Sequence, residues 1–258
     1  MNSYKKVAVY FILSFFFFGF LSLSLFFFLP ARATNESTPF IPLAQAADEI
    51  VLTPASTPAS APAKRLIKHP APFTSQAPLF EWSDPRQEDG CEEAVSLMAM
   101  TWVKGEGPAE AKIWRERILT LTDWEQEKYG ENRDVSLFHV LVWVFGDYFE
   151  HGNVAIKSVK SADEILAELE KGHLVLLPMN GQALENPYFT PPGPERHMIL
   201  VKGYDPASDE FITNDPGTRR GEDYRYPAAI IFTAIRPYIT GYHAPFPGGE
   251  KEMIVIGK

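Results

Sequence analysis

The 258 residues carry a formal net charge of −9 and are 45% apolar and 13% aromatic, enough for one sizeable core once an apolar N-terminal segment is set apart. The acids are scattered and no basic stripe runs along the chain, which excludes a surface that tracks a nucleic-acid backbone. With one cysteine, Cys91, an intramolecular disulfide is excluded as well, and a lone thiol in an exported chain is kept for intermolecular pairing or for reactivity.

The chain opens with Lys5-Lys6 and then an uncharged run from Val7 to Leu29. At about 1.5 Å per residue that run is long enough to cross a bilayer core of about 30 Å. Residues 1–30 are therefore expected to form a retained transmembrane anchor, or a signal segment removed near Ala31-Arg32-Ala33; both place the rest of the chain outside the cytoplasm, because the lysines hold the N-terminus inside. Residues 31–70 are rich in Ala, Pro, Ser and Thr, as in Thr53-Pro54-Ala55-Ser56-Thr57-Pro58. They bury too little apolar surface to offset ordering and read as a semi-extended linker. Residues 71–258 are the expected globular domain.

After Asp89-Gly90, Ala94, Leu97, Met98 and Trp102 recur at helical spacing up to a stop at Gly105. Cys91 is thereby placed in the first turn of a core-facing helix. Further helices are expected over Ala109–Leu119, Leu137–Phe149 and Ser161–Lys171, the last opening with a capping box of Ser161 and Glu164. Short strands are expected over His173–Leu177, Met198–Tyr204, Glu210–Thr213 and Ile230–Ile235. A helical first half followed by a strand-rich second half is an α+β arrangement.

A cysteine at a helix start has its thiolate favoured by unpaired N–H groups and the helix dipole, whereas Glu92 and Glu93 oppose it. Such a thiol needs a base. His197 opens a predicted strand, and a hairpin centred near Pro206 sets it opposite Asp215, where a hydrogen bond would fix the imidazole. A slip of one residue would put Asn214 there instead. Gln76 and Gln87 both precede Cys91 and are candidates for the side-chain donor to an oxyanion.

The other histidines carry less. His139 reads as a hydrogen-bonded core residue and His173 as structural, and His69, His151 and His243 lie in linker or loop sequence without a partner motif. No His or Cys pair has zinc-ligand spacing. Trp102, Trp114, Trp124 and Trp143 read as core and Trp82 as a candidate to line the cleft, while the Pro-rich stretch Pro187–Pro194 reads either as an ordinary surface loop or as a wall of a substrate groove.

Four segments together, Pro72-Phe73-Thr74-Ser75-Gln76, Asp89-Gly90-Cys91-Glu92-Glu93-Ala94, the run from His197 to Asp205, and Asn214-Asp215-Pro216-Gly217, resemble the bacteriocin-processing cysteine peptidases that cut double-glycine leaders, specifically their stand-alone, peptidase-like relatives. The resemblance implies a papain-like cysteine peptidase fold with the nucleophile on a helix N-terminus and the His and Asp on a C-terminal antiparallel sheet. It also implies Cys91 as nucleophile, His197 as base and then acid, Asp215 as its orienter and Gln76 as oxyanion donor. The expected partners are a peptide or protein substrate and, through the N-terminal helix, a membrane, with no cofactor or metal. An amidase or transglutaminase-like acyl transfer on cell-wall peptides is the alternative, and a catalytically silent peptide-binding domain the third possibility.

Overall fold

A computed structural model describes residues 65–258; the apolar run at 7–29 and the linker up to residue 64 lie outside the described residues. Among the described residues no helix is long and apolar enough to cross a membrane.

Seven strands among these residues form one sheet: β1 (Ile67–Lys68), β2 (Val154–Ser158), β3 (Leu174–Met179), β4 (His197–Asp205), β5 (Glu210–Asn214), β6 (Tyr224–Pro227) and β7 (Glu252–Ile256). Their order is β2-β7-β3-β4-β5-β6, with β1 on β4 beyond the end of β3, and every pairing is antiparallel. Helices α1 (Pro85–Glu88), α2 (Cys91–Val103), α3 (Ala111–Tyr129) and α4 (Leu137–His139) come before all strands but β1, and α5 (Ala162–Glu170) and α6 (Ala228–Ala234) are set among the strands. The α+β class is as expected.

The central strands are apolar along their whole length because both faces of the sheet are covered. Val175, Leu177, Ile199, Val201 and Val255 pack on one side with Ile165 and Leu169 of α5 and Ile231 of α6. Leu174, Leu176, Met198, Leu200 and Ile254 pack on the other with Val95 and Met98 of α2. Each such fully buried side chain contributes about 1.5–3 kcal/mol. Helix α2 is buried nearly all round, from Cys91 to Trp102. Cys91, Val95, Met98 and Trp102 face the sheet, whereas Ala94 and Leu97 face Trp114, Ile118 and Leu121 of α3.

Several expectations need correction. Ile230–Ile235 is not a strand: Ala228, Ile231 and Ala234, three residues apart, bury one face of α6, and only Ile235 makes a bridge, to Met179. A short apolar run does not distinguish the two by periodicity. The expected helix at Leu137–Phe149 starts as α4 but continues as π-helical turns over Val140–Tyr148. At Ser161 no side-chain cap bond forms; Glu164 instead accepts from the Lys160 N–H at 2.6 Å. Ile67 and Lys68, placed in the linker by composition, pair with Tyr204 and Gly203 of β4. The sequence reading assigns no strand to β2, β6 or β7.

Glu93 on α2 and Glu125 on α3 are both buried, with none of their carboxyl oxygens hydrogen-bonded to another described residue. Burial first, and then the charge of Glu125, pushes Glu93 well above the ordinary carboxylate range. Burial likewise pushes Glu125 up to about 8. Two carboxyls out of water in one place share protons rather than ionise together. The folded chain therefore keeps a proton on Glu125 that the unfolded chain gives up above about pH 4.5, so stability falls as pH rises from there towards 8. The slope is up to about 1.4 kcal/mol per pH unit. Thermal melts between pH 5 and 8 are expected to show a falling Tm that becomes shallower in Glu125→Gln; parallel curves for the two proteins would remove the buried pair as the cause.

Candidate active site

Cys91 is the first residue of α2, after Gly90 at the N-cap, and its side chain is buried. The thiol donates to Glu92 Oε2 at 3.0 Å, and Glu92 Oε1 accepts from the Tyr238 hydroxyl at 2.6 Å. Burial pushes the Cys91 thiol well up, the Glu92 and Glu93 carboxylates push it the same way, and the Met198 N–H against the sulfur opposes them. Glu92 is itself raised, by burial and then by Glu93. The helix start does not make this resting thiol acidic.

His197 is the first residue of β4 and pairs across to Met179 of β3. Its Nε2 lies 2.7 Å from Asp215 Oδ1, and Phe189 meets the ring edge-on with centroids 5.3 Å apart. The hairpin is wider than the sequence predicts. Leu200 faces Asn214 and, past a bulge, Gly203 faces Ile212, so the ladder ends before His197 and Asp215 are opposed. Asp215 reaches the imidazole because the chain leaves β5 and folds back: Asp215 N–H donates to Gly221 O at 2.9 Å. Gly221 permits that approach, since a Cβ there would lie 1.8 Å from the Asp215 carbonyl oxygen.

Asp215 has no exposure. Its Oδ1 also accepts from Gly217 N–H at 3.0 Å, and its Oδ2 accepts from Tyr226 Oη at 2.5 Å and Asn186 Nδ2 at 3.3 Å. Burial raises this carboxyl, but the charge and hydrogen bond of His197, with those of Tyr226 and Gly217, outweigh it and hold Asp215 below the usual range. An ionised Asp215 fixes the proton on Nε2 and leaves Nδ1 as the basic nitrogen. Asn214 faces away, donating to the carbonyls of Ala71 and Pro72 at 3.3 and 2.9 Å. Of the two candidate orienters, Asp215 is the one brought to His197.

Cys91 and His197 line one cleft of about 290 Å³, together with Gln76, Trp82, Phe189, Thr190 and Gly217. Of the two readings of the Pro187–Pro194 loop, the structure has the wall: its Phe189, Thr190 and Pro194 line the cleft. Gln76 lines the cleft and Gln87 does not; Gln87 is buried, its Nε2 on the Glu81 carbonyl. The Gln76 amide is engaged, however, donating to Gln87 O at 3.0 Å and Glu88 O at 2.6 Å. Its backbone is tied to the loop after Asp215, N–H to Pro216 O at 3.0 Å. Asp134, Arg196 and His243 also line the cleft and escaped the sequence reading. His243 arrives from a distant loop and donates its N–H to Asp134 Oδ2 at 2.8 Å, a pairing with no local sequence signal. His139 bonds Thr240 and His173 bonds Glu168, and His69 and His151 meet backbone carbonyls of Leu169 and Gly257. Among the described residues no group of three His, Cys, Asp or Glu side chains is placed to hold a metal ion.

A chain from Bacillus anthracis described as a C39-like peptidase, known from its crystal structure, matches with a TM-score of 0.47 at 14% identity, over 76% of this chain and 98% of its own. No curated protein sequence matches. The model of the Peptidase_C39-like family matches residues 70–238, a span that takes in Gln76, Cys91, His197 and Asp215. The chain belongs to the Peptidase_C39-like family.

Proposed function

We propose that this chain is an extracytoplasmic, papain-like cysteine peptidase that hydrolyses peptide bonds through Cys91, His197 and Asp215. The observation that carries the reading is the buried His197–Asp215 bond of 2.7 Å in the cleft that also holds Cys91 at a helix start. Asp215 holds the proton on Nε2, so Nδ1 takes the Cys91 proton as the thiolate adds to the peptide carbonyl. The imidazolium then protonates the leaving amine, and water, deprotonated by the same imidazole, hydrolyses the acyl-enzyme. The Cys91 N–H, an intrinsically unpaired donor in the first turn of α2, meets the oxyanion, and Gln76 adds a second donor once its amide turns from the Glu88 carbonyl. Lys5-Lys6 ahead of the apolar run supports the extracytoplasmic, membrane-anchored placement.

Because Glu92 and burial keep the resting thiol protonated, reactivity depends on transfer to His197. Iodoacetamide alkylation of the full-length chain across pH tests this. His197→Ala is expected to move the midpoint up, and Glu92→Gln to move it down by removing a carboxylate 3.0 Å from the sulfur. Hydrolysis should vanish in Cys91→Ala, and kcat/KM should drop about 10²–10⁴-fold in His197→Ala. Alkylation indifferent to His197, with no turnover of any peptide, would leave a silent peptide-binding domain as the better description.

Tyr226→Phe removes a donor that lowers Asp215. Asp215 then protonates at higher pH, and the acid limb of kcat/KM should shift upward while the alkaline limb stays in place. A variant with reduced rate but an unmoved acid limb would show that Tyr226 serves packing alone.

A further inference from the structure

Beside the cleft of Cys91 and His197 lies a second cavity of about 400 Å³. Trp82, Thr190 and Gly217 line both, and Gly217 is where they meet at the imidazole: a Cβ there would lie 2.9 Å from His197 Cε1. The floor of the second cavity includes Arg219 and Arg220. In a chain with excess acid, Arg86, Arg115, Arg117, Arg133, Arg196 and Arg225 each meet a carboxylate. Arg219 and Arg220 meet none among the described residues. Arg219 lies 4.3 Å from the Phe80 ring centroid and Arg220 4.7 Å from that of Tyr188, and the backbone N–H of Arg220 donates to Thr218 Oγ1 at 3.2 Å.

A guanidinium stacked on an aromatic ring uses its face for the contact and keeps its N–H edge for an acceptor in its plane. Two of them, held by rings and unpaired, suit a carboxylate, whose two oxygens accept from such edges. Away from this junction the first cleft sets four acids, Glu88, Asp89, Asp134 and Glu195, against one arginine, Arg196, which is itself close to Asp134 and Glu195, a balance that disfavours an anion there.

We infer that Arg219 and Arg220 form a subsite that binds a carboxylate of the peptide substrate, from an acidic side chain or from the C-terminus, within a residue or two of the scissile bond. This rests on the peptidase reading for the word substrate, but the binding itself is testable without turnover.

The probe is a set of fluorescently labelled Ala/Leu peptides carrying one Glu or its Gln isostere at each position in turn, with free or amidated C-termini. Their affinity for the full-length Cys91→Ala protein is read by anisotropy at low ionic strength. Glu at one position, or a free C-terminus, should bind about tenfold more tightly than Gln or the amide. The Glu scan and the amide arm tell the two carboxylate sources apart. In Cys91→Ala carrying Arg219→Gln and Arg220→Gln the preference should disappear with the affinity for Gln peptides unchanged. Equal affinity for Glu and Gln peptides, a preference that survives the double substitution, or no measurable binding of any acidic peptide would overturn the inference. A carboxylate preference in binding, with no cleavage of any of these peptides by the unmutated chain, would count against the peptidase reading and leave the subsite standing. Cleavage without such a preference would do the reverse.

Discussion

A carboxylate wholly withdrawn from water stays ionised only where donors stand in for its hydration, and the site is organised around meeting that demand at Asp215. Its donors come from four places: His197 at the start of β4, Tyr226 on β6, Asn186 in the loop after β3, and the backbone of Gly217. They converge because β3, β4, β5 and β6 are neighbours in the sheet and because Gly221 lets the chain close back on Asp215. Moving any of these strands would leave an uncompensated charge in the interior.

The acids of the domain fall into two groups with opposite character. Glu92, Glu93 and Glu125, around the N-terminal half of α2, are pushed up by burial and by one another. Asp215, equally buried, is held down by its donors and by His197. The nucleophile thus sits among carboxyls whose ionisation burial disfavours, and the imidazole sits against one whose ionisation is favoured. In the proposed mechanism, a thiol that its own helix start does not activate depends on transfer of its proton to an imidazole that Asp215 holds in place.

The residues gathered at the cleft could be singled out because they rest on local signals: a lone cysteine after Asp-Gly, a histidine opening an apolar strand, and Asn-Asp-Pro after the next. The route by which His197 meets Asp215 could not be. It depends on a bulge near Lys202 and on the fold-back at Gly221, neither of which has a periodicity. Helix α6 was misread because Ala228–Ala234 is short and apolar enough for either structure. The donors Asn186 and Tyr226 carry no signal of their own, since what marks them is the carboxylate that tertiary structure brings to them. Of the two candidate glutamines Gln76 is the one at the cleft, and spacing could not reveal that its amide is already bonded to the carbonyls that end α1.

The chain leading into the domain is woven into the site before any helix begins. Ile67 and Lys68 extend the edge of β4, the Ala71 carbonyl accepts from Lys202 and Asn214, and Ser75 and Gln76 both bond the Pro216 carbonyl behind Asp215. Any maturation or shedding cut that fell between Ile67 and Gln76 would therefore act as an off-switch, stripping an edge pairing and the backing of the Asp215 loop in one step. Processing that yields a working domain has to fall upstream of Ile67.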